Sequence, residues 1–233
     1  MTGVIARRPT RAVFFDIDFT LIQPGPAFQA NGYRDFCARH GSDIDPAAFN
    51  RAVAAAGALF DTGTGEYDAQ LFIDFTRRII EGMGGSGPAV ELVAREIYAE
   101  WAACHHFFLY DDVADVLRDL HARGLKIGLI SNSHRCLTSF QSHFELEGLF
   151  SAAVTSAEQG FLKPHPSIFE TALRQAAAEP SESVMVGDSV AHDVEGARRL
   201  GMRAVLLTRG GSGEECPPDV PVIHTLRELP PLL

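Results

Sequence analysis

At 233 residues, with 46% hydrophobic and 21% charged side chains, the chain is long enough to bury a sizeable core and is ordinary in composition for a globular protein. A net charge of -10 argues against the positive footprint on which nucleic-acid binding rests, and no apolar run reaches the roughly 18 to 20 residues that span a membrane. Cys37, Cys104, Cys136 and Cys216 are too widely spaced for a Cys-x-x-Cys zinc or redox pair, and Met1 to Arg11 leads into no apolar segment of signal-peptide length. The expectation is a cytoplasmic protein with free thiols and with neither membrane nor nucleic acid as partner.

The first predicted element is a buried strand that runs from Val13-Phe14-Phe15 into Asp16-Ile17-Asp18-Phe19-Thr20-Leu21. Residues i and i+2 of an extended strand point to one side, so Asp16 and Asp18 converge if the backbone stays nearly extended. Two carboxylates held that close repel unless a cation or a shared proton relieves them. The stretch therefore reads as a divalent-metal site or an acid/base pair at a strand tip, the bland alternative being a solvated turn. Gln23 to Pro26 is a proline and glycine break. Beyond it, helices are expected over Phe28 to His40, Pro46 to Ala56 and Tyr67 to Ile80, and, past the glycine run from Gly82 to Pro88, over a stripe of Val90, Val93, Ile97 and Trp101. Residues 24–106 thus read as an inserted all-helical unit, or else as helices that simply cover the sheet.

From Asp111 the pattern alternates. Val113, Val116, Leu117 and Leu120 stripe a helix that stops at Gly124, and Leu125 to Ile130 is a branched strand ending in Ser131-Asn132-Ser133. A helix from Arg135 to Glu147, a weak strand over Ala152 to Thr155 and a helix from Pro166 to Ala178 follow. Ser183 to Val186 is a strand ending in Gly187-Asp188-Ser189, His192 to Leu200 a helix, Ala204 to Leu207 a last strand, and Gly210 to Gly213 a glycine-rich loop. Strands alternating with helices at this spacing imply a doubly wound α/β fold with a parallel sheet, whose core would comprise residues 1–23 and 107–233.

In such a sheet the polar clusters at Asp16 to Thr20, Ser131 to Ser133 and Asp188 fall on one edge, outside the carboxyl ends of the strands, where ligands of open α/β sheets bind. Each cluster also has a plainer reading. Ser131-Asn132-Ser133 and Asp188-Ser189 suit helix caps, Asp193 suits the first turn of a helix, and Lys163 suits a solvated loop. The scattered histidines offer no pair with convincing metal-ligand spacing, and His105-His106 reads as a junction between the helical unit and the sheet.

Asp16-Ile17-Asp18-Phe19-Thr20, Ser131-Asn132, Lys163-Pro164 and Gly187-Asp188-Ser189-Val190-Ala191-His192-Asp193 together resemble the four ordered motifs of the haloacid dehalogenase-like hydrolases. The helical insertion after the first motif resembles members with a helical cap over a Rossmann-like core. The resemblance implies a phosphatase acting on a small phosphorylated metabolite. Asp16 would be the nucleophile that forms an aspartyl-phosphate, and Asp18 the general acid and later the base. Mg2+ would be held by the Asp16 carboxylate, the main-chain carbonyl of Asp18 and the Asp188 side chain. Ser131 and the Asn132 amide would hold phosphoryl oxygens, Lys163 would neutralise their charge, and Asp193 and Thr20 would support them. Phe19 stands where the family usually has glycine, and His192 where asparagine is frequent. A haloacid dehalogenase, a phosphotransferase and a non-catalytic phosphate-binding module on the same fold remain as alternatives, and neither substrate nor oligomeric state is legible.

Overall fold

The computed structural model describes residues 9–62, 65–210 and 215–233. The start of the chain up to residue 8 and the expected glycine loop beyond Gly210 lie outside the described residues. Strand β1 (Ala12–Phe15) is buried along its whole length, as suits branched and aromatic residues with sheet neighbours on both sides. It is flanked by β4 (Lys126–Ser131) and β6 (Ser183–Gly187), with β5 (Phe150–Thr155) outside β4 and β7 (Arg203–Leu207) and β8 (Val222–Ile223) beyond β6. The order in this six-stranded sheet is β5-β4-β1-β6-β7-β8, and every pairing is parallel. The chain winds outward from β1 first to one side and then to the other, so the strand order reverses beside β1, between β4 and β6. A crevice at that switch point is where this topology places ligands.

Alternate residues of β1 serve opposite faces. Val13 and Phe15 pack with Val116, Leu117 and Leu120 of α5 (Val113–Ala122) on one face. Ala12 and Phe14 pack with Ile168, Phe169, Ala172 and Leu173 of α8 (Pro166–Gln175) on the other. Removing Phe14 and Phe15 from water contributes roughly 2–3 kcal/mol each. Asp112, wholly buried just before α5, ties the far end of the chain to the core. It accepts two bonds from Arg209, at 3.0 and 2.9 Å, and one each from Thr225 Oγ1 and the Leu226 amide. Burial alone would raise its pKa, yet Arg209, Thr225 and Leu226 together hold it below the usual carboxylate range.

Two strands too short to be legible in the sequence join the sheet to the insertion. β2 (Ile22–Pro24) pairs antiparallel with β3 (Phe107–Leu109), where a break and a junction were expected. Between them the chain runs through α1 (Ala30–Arg39), α2 (Phe49–Ala56), α3 (Ala69–Gly82) and α4 (Ala89–Trp101). Their apolar faces, among them Tyr33, Ile73, Ile80 and Ile97, form one continuous cluster with the α5 face of the sheet. A second tie crosses from the insertion to the core, where the Tyr67 amide donates to Gly160 O at 2.9 Å and the Leu162 amide to Gly65 O at 2.7 Å. All four cysteines are free, and no described helix is long and apolar enough to cross a membrane.

Candidate active site

β1 stops at Phe15, so both aspartates lie beyond the strand, but the nearly extended backbone on which their expected convergence depended is absent. The Asp16 amide still donates to Val186 O of β6 at 2.9 Å, and the chain then turns sharply, with Ile17 O accepting from the amides of Thr20, Leu21 and Ile22. The turn, and not the pleat of a strand, brings Asp16 and Asp18 to one cavity of about 200 Å³. Phe19 takes φ 64 in that turn, the left-handed region that glycine would enter freely. Its amide donates to Ile22 O at 2.7 Å, and the neighbouring Thr20 O accepts from Arg209 Nε at 2.9 Å. Thr20 itself is fully buried, and its hydroxyl has no hydrogen-bond partner among the described residues.

Phe19→Gly relieves roughly 1–2 kcal/mol of left-handed strain and adds roughly 0.5–1 kcal/mol of chain entropy to the unfolded state. The melting temperature is therefore expected to stay within about 4 °C of wild type, with part of the activity retained. Calorimetry and a phosphate-release assay check this, and a folded variant without any turnover would place the ring in the chemistry.

Past a short helix α7 (Ser156–Gln159), the loop before α8 delivers Lys163, which is buried and not the solvated loop lysine that its neighbours suggest. Its Nζ donates to Asp16 Oδ1 at 2.5 Å and to Asp193 Oδ1 at 2.7 Å. Asn132, just past β4, holds the lysine from behind. Its Oδ1 accepts from the Lys163 amide at 2.7 Å and its Nδ2 donates to Lys163 O at 3.1 Å. Ser131 Oγ donates to Ser133 Oγ at 2.9 Å, and the next helix, α6 (Leu137–His143), starts too far on for these residues to cap it.

After β6 the chain passes Asp188 and enters a single π turn (Val190–Val194), a wide form that recurs at functional sites, before α9 (Glu195–Arg199). Ser189, and not Asp188, caps the turn by accepting from the His192 amide. Asp193 Oδ2 accepts from the Ser189 amide at 3.1 Å. Gly187 makes room for that carboxylate, since a Cβ there would stand 2.2 Å from it.

Asp16, Asp188 and Asp193 bring carboxylate oxygens within 4.8 Å of one another. One buried ammonium among three carboxylates leaves the group short of positive charge. Burial pushes Asp16 up to about 6, with Lys163 pulling the other way and Asp193 adding to the rise. Asp188 is pushed up to about 8 by burial, then by Asp16 and Asp193. The same crowding of anions overcomes the burial of Lys163 and raises its pKa. An oxygen-only, charge-deficient set with Asp16 and Asp193 buried and Asp188 partly so fits a hard divalent cation. Glu100, His105 and His106 form a second cluster of potential ligands at the end of the helical insertion, closed by His106 Nε2 and Glu100 Oε2 at 2.9 Å.

The model of the haloacid dehalogenase-like hydrolase family matches residues 10–201. The chain is a haloacid dehalogenase-like hydrolase. It is 29% identical to haloacid dehalogenase-like hydrolase domain-containing protein 3 of Homo sapiens, over 97% of this chain and 94% of that one. With a phosphoserine phosphatase of Thermus thermophilus it shares 32% identity over 66% of this chain and 61% of the relative. A crystal structure of a HAD phosphatase from Thermococcus onnurineus matches it with TM-score 0.67 and 25% identity, covering 96% of this chain and 97% of the other.

This haloacid dehalogenase-like hydrolase also carries site features that the sequence reading missed. Arg135, read there only as the start of a helix, is buried without remainder and donates from Nη2 to Asp18 Oδ1 at 2.9 Å. Its guanidinium lies over the Phe107 ring of β3, 4.2 Å from the centroid. Asp18 is raised by its own burial, against the pull of Arg135, so its carboxyl keeps a proton more readily than an exposed aspartate. Beside Asp18 a second cavity of about 260 Å³ opens between the helical insertion and the core loops. No local pattern announces either feature, because both are built from residues distant in sequence.

Proposed function

We propose that the protein is a Mg2+-dependent phosphatase that hydrolyses a small phosphorylated metabolite through an aspartyl-phosphate on Asp16. The observation that carries this reading is the Asp16 carboxylate at the end of β1, 2.5 Å from the Lys163 ammonium and sharing its cavity with Asp18. Mg2+ would be held by the carboxylates of Asp16 and Asp188 and the main-chain carbonyl of Asp18. When bound, it would neutralise charge between the Asp16 carboxylate and the incoming phosphoryl oxygens.

An Asp16 oxygen attacks phosphorus, the ester P–O bond breaks, and the departing oxygen takes the proton of the Asp18 carboxyl. Asp18 then takes a proton from water as the water oxygen bonds to phosphorus, and the bond to Asp16 breaks, which restores both side chains and frees phosphate. Lys163 offsets negative charge on the transferring oxygens throughout. Ser131 exchanges its bond to Ser133 for a phosphoryl oxygen, the Asn132 amide holds another, and Asp193 positions Lys163. The helical unit, residues 24–106, acts as a mobile cap on the core, residues 1–23 and 107–233, swinging on the β2–β3 ribbon to exclude water. A proton carrier at Asp18 speaks against the dehalogenase alternative, since a departing halide needs no proton.

The test is hydrolysis of p-nitrophenyl phosphate by the purified chain, expected to stop with EDTA and to return with Mg2+. Metal-independent fluoride release from a fluoroacid, with no phosphate release, would overturn the reading. Stability should respond too. Asp16 and Asp188 have raised pKa values, so their contribution to the metal-free fold is full below about pH 4 and is lost as pH rises through about 6 and 8. A cation reverses that loss. At about 100 times its dissociation constant Mg2+ adds about 2.7 kcal/mol, or roughly 5–10 °C in melting temperature. Melting curves should show this gain at pH 8.5 and little of it at pH 5.

A further inference from the structure

The cavity beside Asp18 differs in kind from the one that holds Asp16. Lys163 and Asp193 line the acidic cavity and not the one beside Asp18, Asp188 lines the acidic cavity and a third of about 450 Å³ beside Arg209, and Asp18, Asn132 and His192 line both of the first two. The shared residues mark the boundary where a P–O ester bond would lie, with the phosphoryl group on the Asp16 side. The alcohol half then extends into the second cavity, which shares Asp18 with the acidic one as the third does not. Seven aromatic residues dominate its wall: Phe19, Tyr33, Phe60, Phe72, Phe75, Tyr98 and Trp101. Four of them are braced against one another, with Phe60 meeting Phe72 and Phe75 at 5.4 and 5.2 Å between centroids and Phe72 meeting Tyr98 at 6.3 Å. Such a wall is pre-formed and costs a ligand little ordering.

Polar recognition is scarce there. No lysine or arginine is among the described residues that line the cavity, so no cation is in place for a carboxylate or a second phosphate. Several of the polar side chains that line it are engaged, while His134 has a buried Nε2 with no hydrogen-bond partner among the described residues. Thr76 donates to Phe72 O at 3.0 Å, Tyr98 shares its hydroxyl with Tyr67 at 2.5 Å, and Asn132 is tied at both ends to Lys163. A polyhydroxylated sugar seated here would exchange water for rings, at a cost in unmade hydrogen bonds for each hydroxyl. A flat apolar group loses nothing of the kind and gains the aromatic contacts. The volume, about 260 Å³, exceeds that of the roughly 150 Å³ cavities that take up benzene and is room for an aromatic ring with a short side chain.

Resting on the phosphatase reading, we propose that the preferred substrates are phosphomonoesters of aryl-bearing apolar alcohols, with the ring seated among Phe19, Phe72 and Trp101 and the ester oxygen at Asp18. Sugar phosphates and phosphorylated amino acids are poor substrates.

Phosphate release is compared for 2-phenylethyl phosphate, glycerol 3-phosphate, phosphoserine and glucose 6-phosphate. All are esters of primary alcohols, so the ranking reads binding more than leaving-group chemistry. The phenylethyl ester is expected to lead by roughly 10–100-fold in kcat/KM. Phe72→Ala should lower kcat/KM for this ester about tenfold more than for glycerol 3-phosphate. Trp101 is the chain's single tryptophan and gives a readout that needs no turnover. Its fluorescence should shift saturably with benzylphosphonate and not with phosphonoacetate at the same concentration. A sugar or serine ester that matches or outranks the phenylethyl ester, or a Trp101 signal indifferent to benzylphosphonate, would overturn the substrate class while leaving the phosphatase intact. If no ester is hydrolysed, p-nitrophenyl phosphate included, the phosphatase reading fails, and the Trp101 titration alone decides what the cavity takes.

Discussion

Asp16→Asn is expected to reduce phosphate release from any substrate by roughly 10⁴-fold or more, because the amide is a poor nucleophile and the two-step route has no substitute for the carboxylate. The loss should fall on kcat, with KM little changed, since the groups proposed to bind the phosphoryl oxygens, Lys163, Ser131 and the Asn132 amide, remain. The fold should survive. Lys163 keeps its bond to Asp193 at 2.7 Å, and the substitution removes one of three carboxylates crowded around a single ammonium. With the raised pKa of Asp16 gone, the metal-free variant should lose less stability than wild type as pH rises from 5 to 8. Steady-state kinetics beside melting curves at both pH values test the two halves of this argument. A variant that is folded and retains more than about a hundredth of wild-type turnover would remove Asp16 from the nucleophile's place.

Arg135→Met is expected to act through Asp18. The guanidinium sits between the Phe107 ring and Asp18 Oδ1, in a setting where removing one partner of a buried pair typically costs about 3–5 kcal/mol. Protonation of Asp18 offsets part of that cost, so a folded but less stable protein is expected. Its carboxyl, freed from the Arg135 anchor, should deliver a proton less efficiently. General acid catalysis supplies roughly 10²–10⁴-fold, and its loss weighs most on esters of poorly acidic alcohols. An alkyl phosphate should therefore lose about 10²-fold in kcat, and p-nitrophenyl phosphate, whose leaving group scarcely needs a proton, much less. Arg135→Lys should recover only part of the difference, because lysine keeps the charge and lacks the planar fork. Equal losses on both esters would mean that Arg135 serves stability alone.

Much of the site is legible in the sequence because its groups follow strand ends, and strand ends carry local signals. Asp16, Ser131 and Asp188 each follow a short branched or aromatic run, and a parallel sheet sends all three runs to one edge. The alternation of strands and helices after Asp111 fixes the doubly wound topology in the same way, since parallel neighbours need a crossover between them. Lys163 and Asp193 are legible by their place in the motif order, but their burial and their contact with each other are not. A loop lysine is usually solvated, and only the packing of the α8 loop against β4 and the π turn removes it from water.

What tertiary structure alone decided is of two kinds. Some elements are too short to have a pattern of their own. The β2–β3 ribbon has three residues to a strand, separated by more than eighty positions, and β8 has two, so each exists because a partner is already in place. The left-handed Phe19 runs against its own propensity, and only the surrounding bonds make the turn hold. The other kind is convergence. Arg135 reaches Asp18 from 117 positions away, and the rings of the second cavity come from the turn after β1, from α1, from the segment between α2 and α3 that carries Phe60, from α3 and from α4. A sequence specifies which residue types are available to a site at each strand end. Which of its aromatic and charged residues meet there depends on the crossing of helices over the sheet, where contacts form between positions with no fixed spacing.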